Sequence, residues 1–181
     1  MKRQRPQGAD PAGAYNCGEV AGRGSTMGQF FEGFVPGTRY VTPARTVTET
    51  DVVMFAAMSG DYNQLHTSET WARDRGPFGR RIAHGLLCLA LGHGLMARLG
   101  LFDGTAAAFL GLEEWRFRAP VFFGDTLHVE FEVVSARPSR SNPGQGIVTV
   151  ACEYRNQDGA IVQQGKQILM IRCRRSDAGR R

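Results

Sequence analysis

The sequence predicts an α+β fold in which an antiparallel sheet wraps around one long apolar helix. Residues 83–101 are apolar almost all round, with His84, His93 and Arg98 as the polar interruptions. Such a segment forms either a buried helix or a membrane span. After it the hydrophobic period changes to two, and short turn signals separate four strand-like segments. Consecutive strands joined by short turns pair antiparallel, so we expect a sheet that covers the helix.

Local signals predict the remaining elements. Pro43 favours an edge position for the first strand because proline cannot donate to a sheet ladder. Thr48 or Thr50 is expected to cap the first helix, and Ser68 to cap the second. The predicted elements are strands over 39–47, 109–118, 126–136, 147–154 and 160–173, and helices over 48–58, 68–75 and 83–101.

The length of 181 residues predicts one domain with a substantial core. Residues 1–26 lack periodicity and are expected to form a disordered extension. The domain is expected over 27–175, with a basic tail over 176–181. Whether Met1 or Met27 is the natural start is left open.

The net charge of +5 does not indicate an acidic partner. Residues 1–26 carry +2 and residues 172–181 carry +4, which leaves −1 for the rest of the chain. Basic ends are usually solvated tails, so we predict no nucleic-acid partner. The polar residues and glycines of the apolar helix argue against a membrane span, and we predict no membrane partner.

Cysteine usage and the N-terminus indicate a cytoplasmic protein. The four cysteines form no C-x-x-C pair, and no apolar run follows the basic residues at the start of the chain. Reduced thiols are therefore expected at positions 17, 88, 152 and 173.

The segment 59–66 (Ser-Gly-Asp-Tyr-Asn-Gln-Leu-His) is the main candidate for a functional site. Asp61 and His66 are residue types that move protons near neutral pH. Asn63 offers both donor and acceptor atoms that could fix a water molecule between them. The alternative is a turn whose polar residues only shape the backbone. Turn formation alone does not explain the added histidine.

This segment, the Ala83-His84-Gly85 element and the run from Arg118 to Asp125 (Arg-Ala-Pro-Val-Phe-Phe-Gly-Asp) resemble the MaoC-like (R)-specific enoyl-CoA hydratases. The resemblance covers roughly residues 27–173. It implies a hot-dog fold, in which a curved antiparallel sheet wraps a central helix. One departure is Gln64, which stands where the family commonly has proline.

The resemblance implies that Asp61 and His66 form the catalytic pair and that Asn63 positions the water. The implied reaction is reversible hydration of a trans-2-enoyl-CoA, or of an acyl-carrier thioester, to the (R)-3-hydroxyacyl form. No cofactor is implied, and a homodimer or dimer of dimers is expected. Two alternatives stay open: a thioesterase on the same fold, and a non-catalytic module that binds acyl thioesters.

The start of the apolar helix supplies further candidates for substrate binding. A helix N-terminus offers unpaired N–H groups, and Gly85 has no side chain to block a thioester carbonyl. The alternative is that Gly85 is small only because the sheet packs on it. His84 is a second candidate, although we expect it mainly to hydrogen-bond a loop and fix the helix start.

Other polar and aromatic residues receive structural interpretations. His93 is expected in the core or at an interface, and the histidine spacings predict no metal site. Four arginines could contact carrier phosphates or could form a solvated loop: Arg73, Arg75, Arg80 and Arg81. Four aromatic residues are expected in the core or an interface: Trp115, Phe117, Phe122 and Phe123.

Overall fold

The computed structural model describes residues 27–174. Its helices are a 3-10 turn at Phe31–Gly33, α1 Glu49–Ser59, α2 Gln64–Thr67, α3 Glu69–Asp74 and α4 Gly85–Ala97. Its strands are β1 Arg39–Val41, β2 Arg45–Thr46, β3 Ala106–Phe117, β4 Thr126–Pro138, β5 Gln145–Arg155 and β6 Ile161–Arg172. The predicted extension over 1–26 and the tail over 176–181 lie outside the described residues.

In the described part of the chain, six strands form the antiparallel sheet, in the order β1-β4-β5-β6-β3, with β2 also paired to β4. The four long strands were all predicted from their period of two. The first predicted strand is divided into β1 and β2, which pair with successive parts of β4. The break contains Pro43, which has no N–H for the ladder. The predicted edge position of this strand is confirmed.

Helix α4 packs against one face of this sheet. Its buried residues are Leu87, Cys88, Gly92, Leu95 and Met96. Gly92 lies directly beneath the ring of Tyr154 from β5, where any larger side chain would collide. Glycine at position 92 therefore allows β5 to pack closely on the helix. Within residues 27–174, no helix is both long and apolar enough to cross a membrane.

The apolar helix differs from its prediction in length and in coverage. It has 13 residues and begins at Gly85, because Ala83 and His84 precede it in an extended conformation. One stripe of α4 is exposed to solvent and consists of Leu86, Ala90, Gly94 and Ala97. The expected burial of the helix therefore does not extend to this stripe.

Helix capping fixes where the candidate loop begins. Thr48 is the N-cap of α1 and forms a capping box with Asp51, so the cap is Thr48 rather than Thr50. At the other end of α1, Gly60 takes a left-handed conformation with φ of 78°. Glycine adopts this conformation without steric cost, so the chain turns sharply there. Ser68 caps α3 as predicted.

Candidate active site

The loop after α1 is shaped by its own polar side chains. The Asp61 carboxylate accepts a hydrogen bond from the Asn63 N–H at 3.2 Å. The Asn63 side-chain oxygen accepts from the Leu65 N–H at 2.9 Å and caps α2, a short helix that the sequence did not reveal. Part of the predicted turn chemistry is therefore present. These two hydrogen bonds leave the second carboxylate oxygen of Asp61 and the amide N–H groups of Asn63 for other partners.

Two histidine hydrogen bonds join this loop to the segment that leads into α4. The His66 Nδ1 donates to the Ile82 carbonyl at 2.8 Å. The His84 Nε2 donates to the Asp61 carbonyl at 3.0 Å. Because a carbonyl oxygen only accepts, each bond sets the tautomer of a neutral ring. Nε2 of His66 and Nδ1 of His84 then carry the lone pairs.

His84 is a buried residue at the centre of this arrangement, with 2% of its surface exposed. Its ring lies between those of His66 and Phe55, with centroid distances of 3.8 Å and 5.0 Å. Burial lowers the pKa of His84 below its ordinary value, and the nearby His66 lowers it further. Its Nδ1 has no hydrogen-bond partner among the described residues. The expected role of His84 in holding a loop against the helix start matches this geometry.

An open cavity of about 480 Å³ lies beside the start of α4. His66 and Gly85 form part of its wall. Asp61 is exposed and does not belong to the wall, but one oxygen of its carboxylate lies within 4.8 Å of a ring nitrogen of His66. The apolar part of the wall is formed by Phe78, Ile82, Leu86, Phe117, Pro120 and Val121.

Gly85 is the first residue of α4, so its N–H has no acceptor within the helix. The Phe117 ring packs on it, and a Cβ added at Gly85 would lie 2.7 Å from the Phe117 Cε1. Close packing therefore requires glycine here, as the structural alternative expects. The same residue also borders the cavity, so both readings are compatible with the geometry. Phe117 itself is 56% exposed and belongs to the cavity wall rather than to the core.

Asp61, His66 and His84 place one potential metal-ligand atom each within 4.8 Å of one another. The sequence spacing of the histidines did not indicate this cluster. The rings of His66 and His84 are tilted by 31°, with their centroids 3.8 Å apart. A zinc site needs lone pairs that converge on one ion at about 2.0–2.1 Å. The absence of a metal stays a prediction.

Most of the arginines proposed as phosphate ligands already have other contacts. Arg81 pairs with Glu49 and Glu69 at 2.7 Å each, and Arg73 pairs with Asp74. The Arg80 guanidinium lies 3.6 Å from the centre of the Phe122 ring. Arg75 is exposed at the end of α3.

Sequence reasoning missed two polar residues of the cavity wall, Arg118 and Gln163. Arg118 makes no ion pair within residues 27–174, so its charge is not already paired there. Gln163 was detectable, because the period of two from the buried Leu169 and Ile171 puts it on the inward face of β6. A buried glutamine among apolar residues is an exception that needs partners.

The order and pairing of these elements define a hot-dog fold. A double hot-dog protein from Mycobacterium tuberculosis aligns with a TM-score of 0.71 at 21% identity, covering 85% of this chain and 46% of that one. The family model described as MaoC like domain matches residues 32–154, more than half of the chain. The chain therefore belongs to the MaoC-like family.

Relatives and a solved structure within the family are similar over most of the domain. The (R)-specific enoyl-CoA hydratase of Aeromonas caviae is 31% identical over 121 residues, covering 67% of this chain and 84% of that protein. The 3-hydroxybutyryl-CoA dehydratase of Methylorubrum extorquens is 41% identical over 97 residues, 53% of this chain. The MaoC-like dehydratase from Rhodospirillum rubrum aligns with a TM-score of 0.70 at 29% identity, covering 82% of this chain and 100% of that one.

Some relatives are longer than the matched region. The match spans 59% of the Methylorubrum extorquens dehydratase. Protein MaoC of Klebsiella aerogenes is 38% identical over 101 residues, which are 56% of this chain and 29% of that protein.

The lowered pKa of His84 predicts a pH dependence of stability. Below its ordinary pKa of 6.5, the unfolded chain binds a proton at His84 that the folded protein does not bind. The free energy of unfolding should therefore fall as pH decreases from about 7 and level off below the folded pKa. Urea unfolding between pH 7.5 and 5 measures this loss.

The substitution His84→Gln should remove this pH dependence of the free energy of unfolding. An amide can still donate to the Asp61 carbonyl, but it does not titrate. His128→Gln, at a half-exposed site on β4, is the control for removal of a histidine. An unchanged pH slope in the His84 variant would contradict the assignment.

Proposed function

We propose that the protein is a hydro-lyase that reversibly adds water to a trans-2-enoyl thioester, giving the (R)-3-hydroxyacyl thioester. The observation that carries this proposal is the cluster at the cavity: the Asp61 carboxylate lies within 4.8 Å of the His66 ring, and His66 shares the wall with Gly85. The names of relatives support the same reaction class, since they include an (R)-specific enoyl-CoA hydratase and a 3-hydroxybutyryl-CoA dehydratase.

Asp61 and His66 are proposed to hold and activate the water. A base must take a proton from water as its oxygen attacks C3, and a proton must reach C2. The free lone pair of His66 at Nε2 and the exposed carboxylate of Asp61 are both suitable acceptors. Asn63 is proposed to help orient the water through its amide N–H groups, because its oxygen is occupied by the cap of α2. Which group performs each transfer is left open in this proposal.

The N–H of Gly85 is proposed to stabilise the enolate oxygen that forms on the thioester. As the first N–H of α4, it lies at the positive end of the helix dipole and lacks an acceptor in the helix. Donors placed in advance for developing charge typically contribute about 10²–10³ in rate. The thioester itself acidifies C2, so the reaction needs no cofactor. His84 is proposed to act on the substrate indirectly, by holding the Asp61 backbone against the helix start.

The apolar cavity wall and Arg118 support an acyl thioester as substrate. Ile82, Phe117 and Val121 provide an apolar surface for the acyl chain. A cation at the same wall suits the phosphates of coenzyme A or of an acyl carrier. We propose this substrate class without a choice between the two carriers.

Replacing Asp61 by Asn tests the proposed chemistry. The variant retains a side-chain oxygen for the Asn63 N–H and should keep the loop, but it loses the carboxylate. We expect hydration of crotonyl-CoA to fall by about 10²-fold or more. The rate is measured as the loss of enoyl absorbance over time, with wild type and variant assayed at similar enzyme concentrations.

Asp74→Asn is the matched control, because Asp74 is an exposed carboxylate in the nearby α3. It should retain wild-type turnover. Near-wild-type hydration by the Asp61 variant would contradict the mechanism. Release of free thiol without loss of the enoyl group would instead indicate a thioesterase, and binding without turnover would indicate a non-catalytic module.

We also propose that the protein forms a homodimer, or a dimer of dimers, through β3 and the uncovered stripe of α4. Within residues 27–174, strand β3 is the last strand of the sheet, so one row of its backbone groups has no ladder partner there. Its large apolar side chains are exposed, among them Phe109 at 48% and Leu112 at 38%. Leu86 and Phe117 belong both to this surface and to the cavity wall. A second copy would therefore complete the open side of the cavity.

A glutamate at position 112 should disrupt this association. In Leu112→Glu a charge would be buried without a partner at the interface, which costs several kcal/mol. We expect wild type to sediment as a dimer at micromolar concentration, and the variant to shift to monomer with lower hydration activity. Val134→Glu, at a 42% exposed site on β4, should stay dimeric. A wild-type protein that is fully active as a monomer would exclude the proposed interface.

A further inference from the structure

A chain of buried hydrogen bonds connects α4 to the sheet. Gln163 and Gln167 on β6 are 1% and 0% exposed, and both side chains point towards the helix. The Gln163 amide donates to the Gly85 carbonyl at 2.9 Å. The Gln167 amide donates to the Tyr154 hydroxyl at 2.8 Å and accepts from the His93 Nδ1 at 2.9 Å. The sheet thus holds α4 near its start and near its middle.

These contacts follow the period of the helix. The Tyr154 hydroxyl donates to the Leu89 carbonyl at 3.3 Å, between the contacts at Gly85 and His93. Residues 85, 89 and 93 are four apart and lie on one face of α4. Apolar residues occupy the same inward face of β6 nearer its end, as Leu169 and Ile171 show. On the rest of this face, Gln163 and Gln167 bury side-chain amides. Each amide needs hydrogen-bond partners, because burying an unpaired polar group costs free energy.

A tryptophan on β3 stabilises the contact between Gln163 and Gly85. The side-chain oxygen of Gln163 accepts from the Trp115 Nε1 at 3.1 Å. Trp115 reaches this position from a β-bulge, where Glu114 and Trp115 together stand opposite Gly165. Gly165 leaves room for the tryptophan, because a Cβ there would lie 2.7 Å from the Trp115 Cε3.

The bulge carries backbone strain. Within residues 27–174, Glu114 is the one non-glycine residue with positive φ, at 53°. Such a conformation is uncommon for a residue with a side chain and persists where the surroundings impose it. The bulge directs the Trp115 side chain inward, where its N–H holds the Gln163 amide in the orientation that contacts Gly85.

We propose that Gln163 is a positioning residue for the reaction: it fixes the first residue of α4 so that the Gly85 N–H faces the thioester carbonyl in the cavity. This inference rests on the proposed hydratase function. Gln163 and Gly85 both belong to the cavity wall, whereas Gln167 contacts the helix two turns further on. The contact made by Gln167 supports packing and has no role at the reacting atoms.

A pair of matched variants, Gln163→Met and Gln167→Met, tests this proposal on the full chain. Each replaces a buried glutamine on the same face of β6 by an unbranched apolar residue of similar length. Both should lower the urea midpoint. Only Gln163→Met should lower kcat for crotonyl-CoA, by about tenfold or more, with KM within about twofold, because a misplaced donor acts in the transition state. Gln167→Met should keep kcat within about twofold of wild type.

Equal loss of kcat in the two variants, or an unchanged kcat in Gln163→Met, would overturn the proposal. If Gln163→Met does not fold, Trp115→Phe removes the N–H that orients Gln163 and should lower kcat several-fold at constant KM. An unchanged kcat in that variant would also overturn it. A wild-type protein without hydration activity would refute the proposed function, which is a separate outcome from these.

Discussion

The arrangement of the candidate site depends on two hydrogen bonds between the Asp61–His66 loop and the segment before α4. Through them His66 is tied to the Ile82 carbonyl and His84 to the Asp61 carbonyl. Each bond connects a side chain on one segment to the backbone of the other, so neither segment can move alone. Because both rings use one nitrogen in this way, the other nitrogen of each ring is left with its lone pair. The proposed acid–base chemistry requires this property.

The polar residues of the loop have structural roles as well as proposed chemical ones. Asp61 and Asn63 accept backbone hydrogen bonds that shape the turn after Gly60. This shaping is the alternative that turn composition alone suggests, and it does not compete with chemistry. A carboxylate held by the backbone at one oxygen keeps the other oxygen in a defined position, as a catalytic group requires. At the helix start, packing and proposed catalysis likewise both require Gly85.

Local patterns were sufficient to predict the main elements. The period of two in residues 126–136 and 147–154 predicted β4 and β5, and Thr48 marked the start of α1. Non-local contacts could not be predicted. The contact between the rings of His66 and His84 brings together residues 18 positions apart, and the Gln163 contact depends on a bulge in another strand. The ion pairs of Arg81 are a further example, since its carboxylate partners lie on α1 and α3.

In the proposed complex, the cavity holds a thioester between the Asp61–His66 pair and the first N–H of α4. A crystal structure of the protein with bound (R)-3-hydroxybutyryl-CoA tests this placement. We expect the thioester oxygen at about 2.7–3.1 Å from the Gly85 nitrogen, with the 3-hydroxyl group facing Asp61 and His66. An acyl group bound outside this cavity, or a thioester oxygen directed away from Gly85, would refute it.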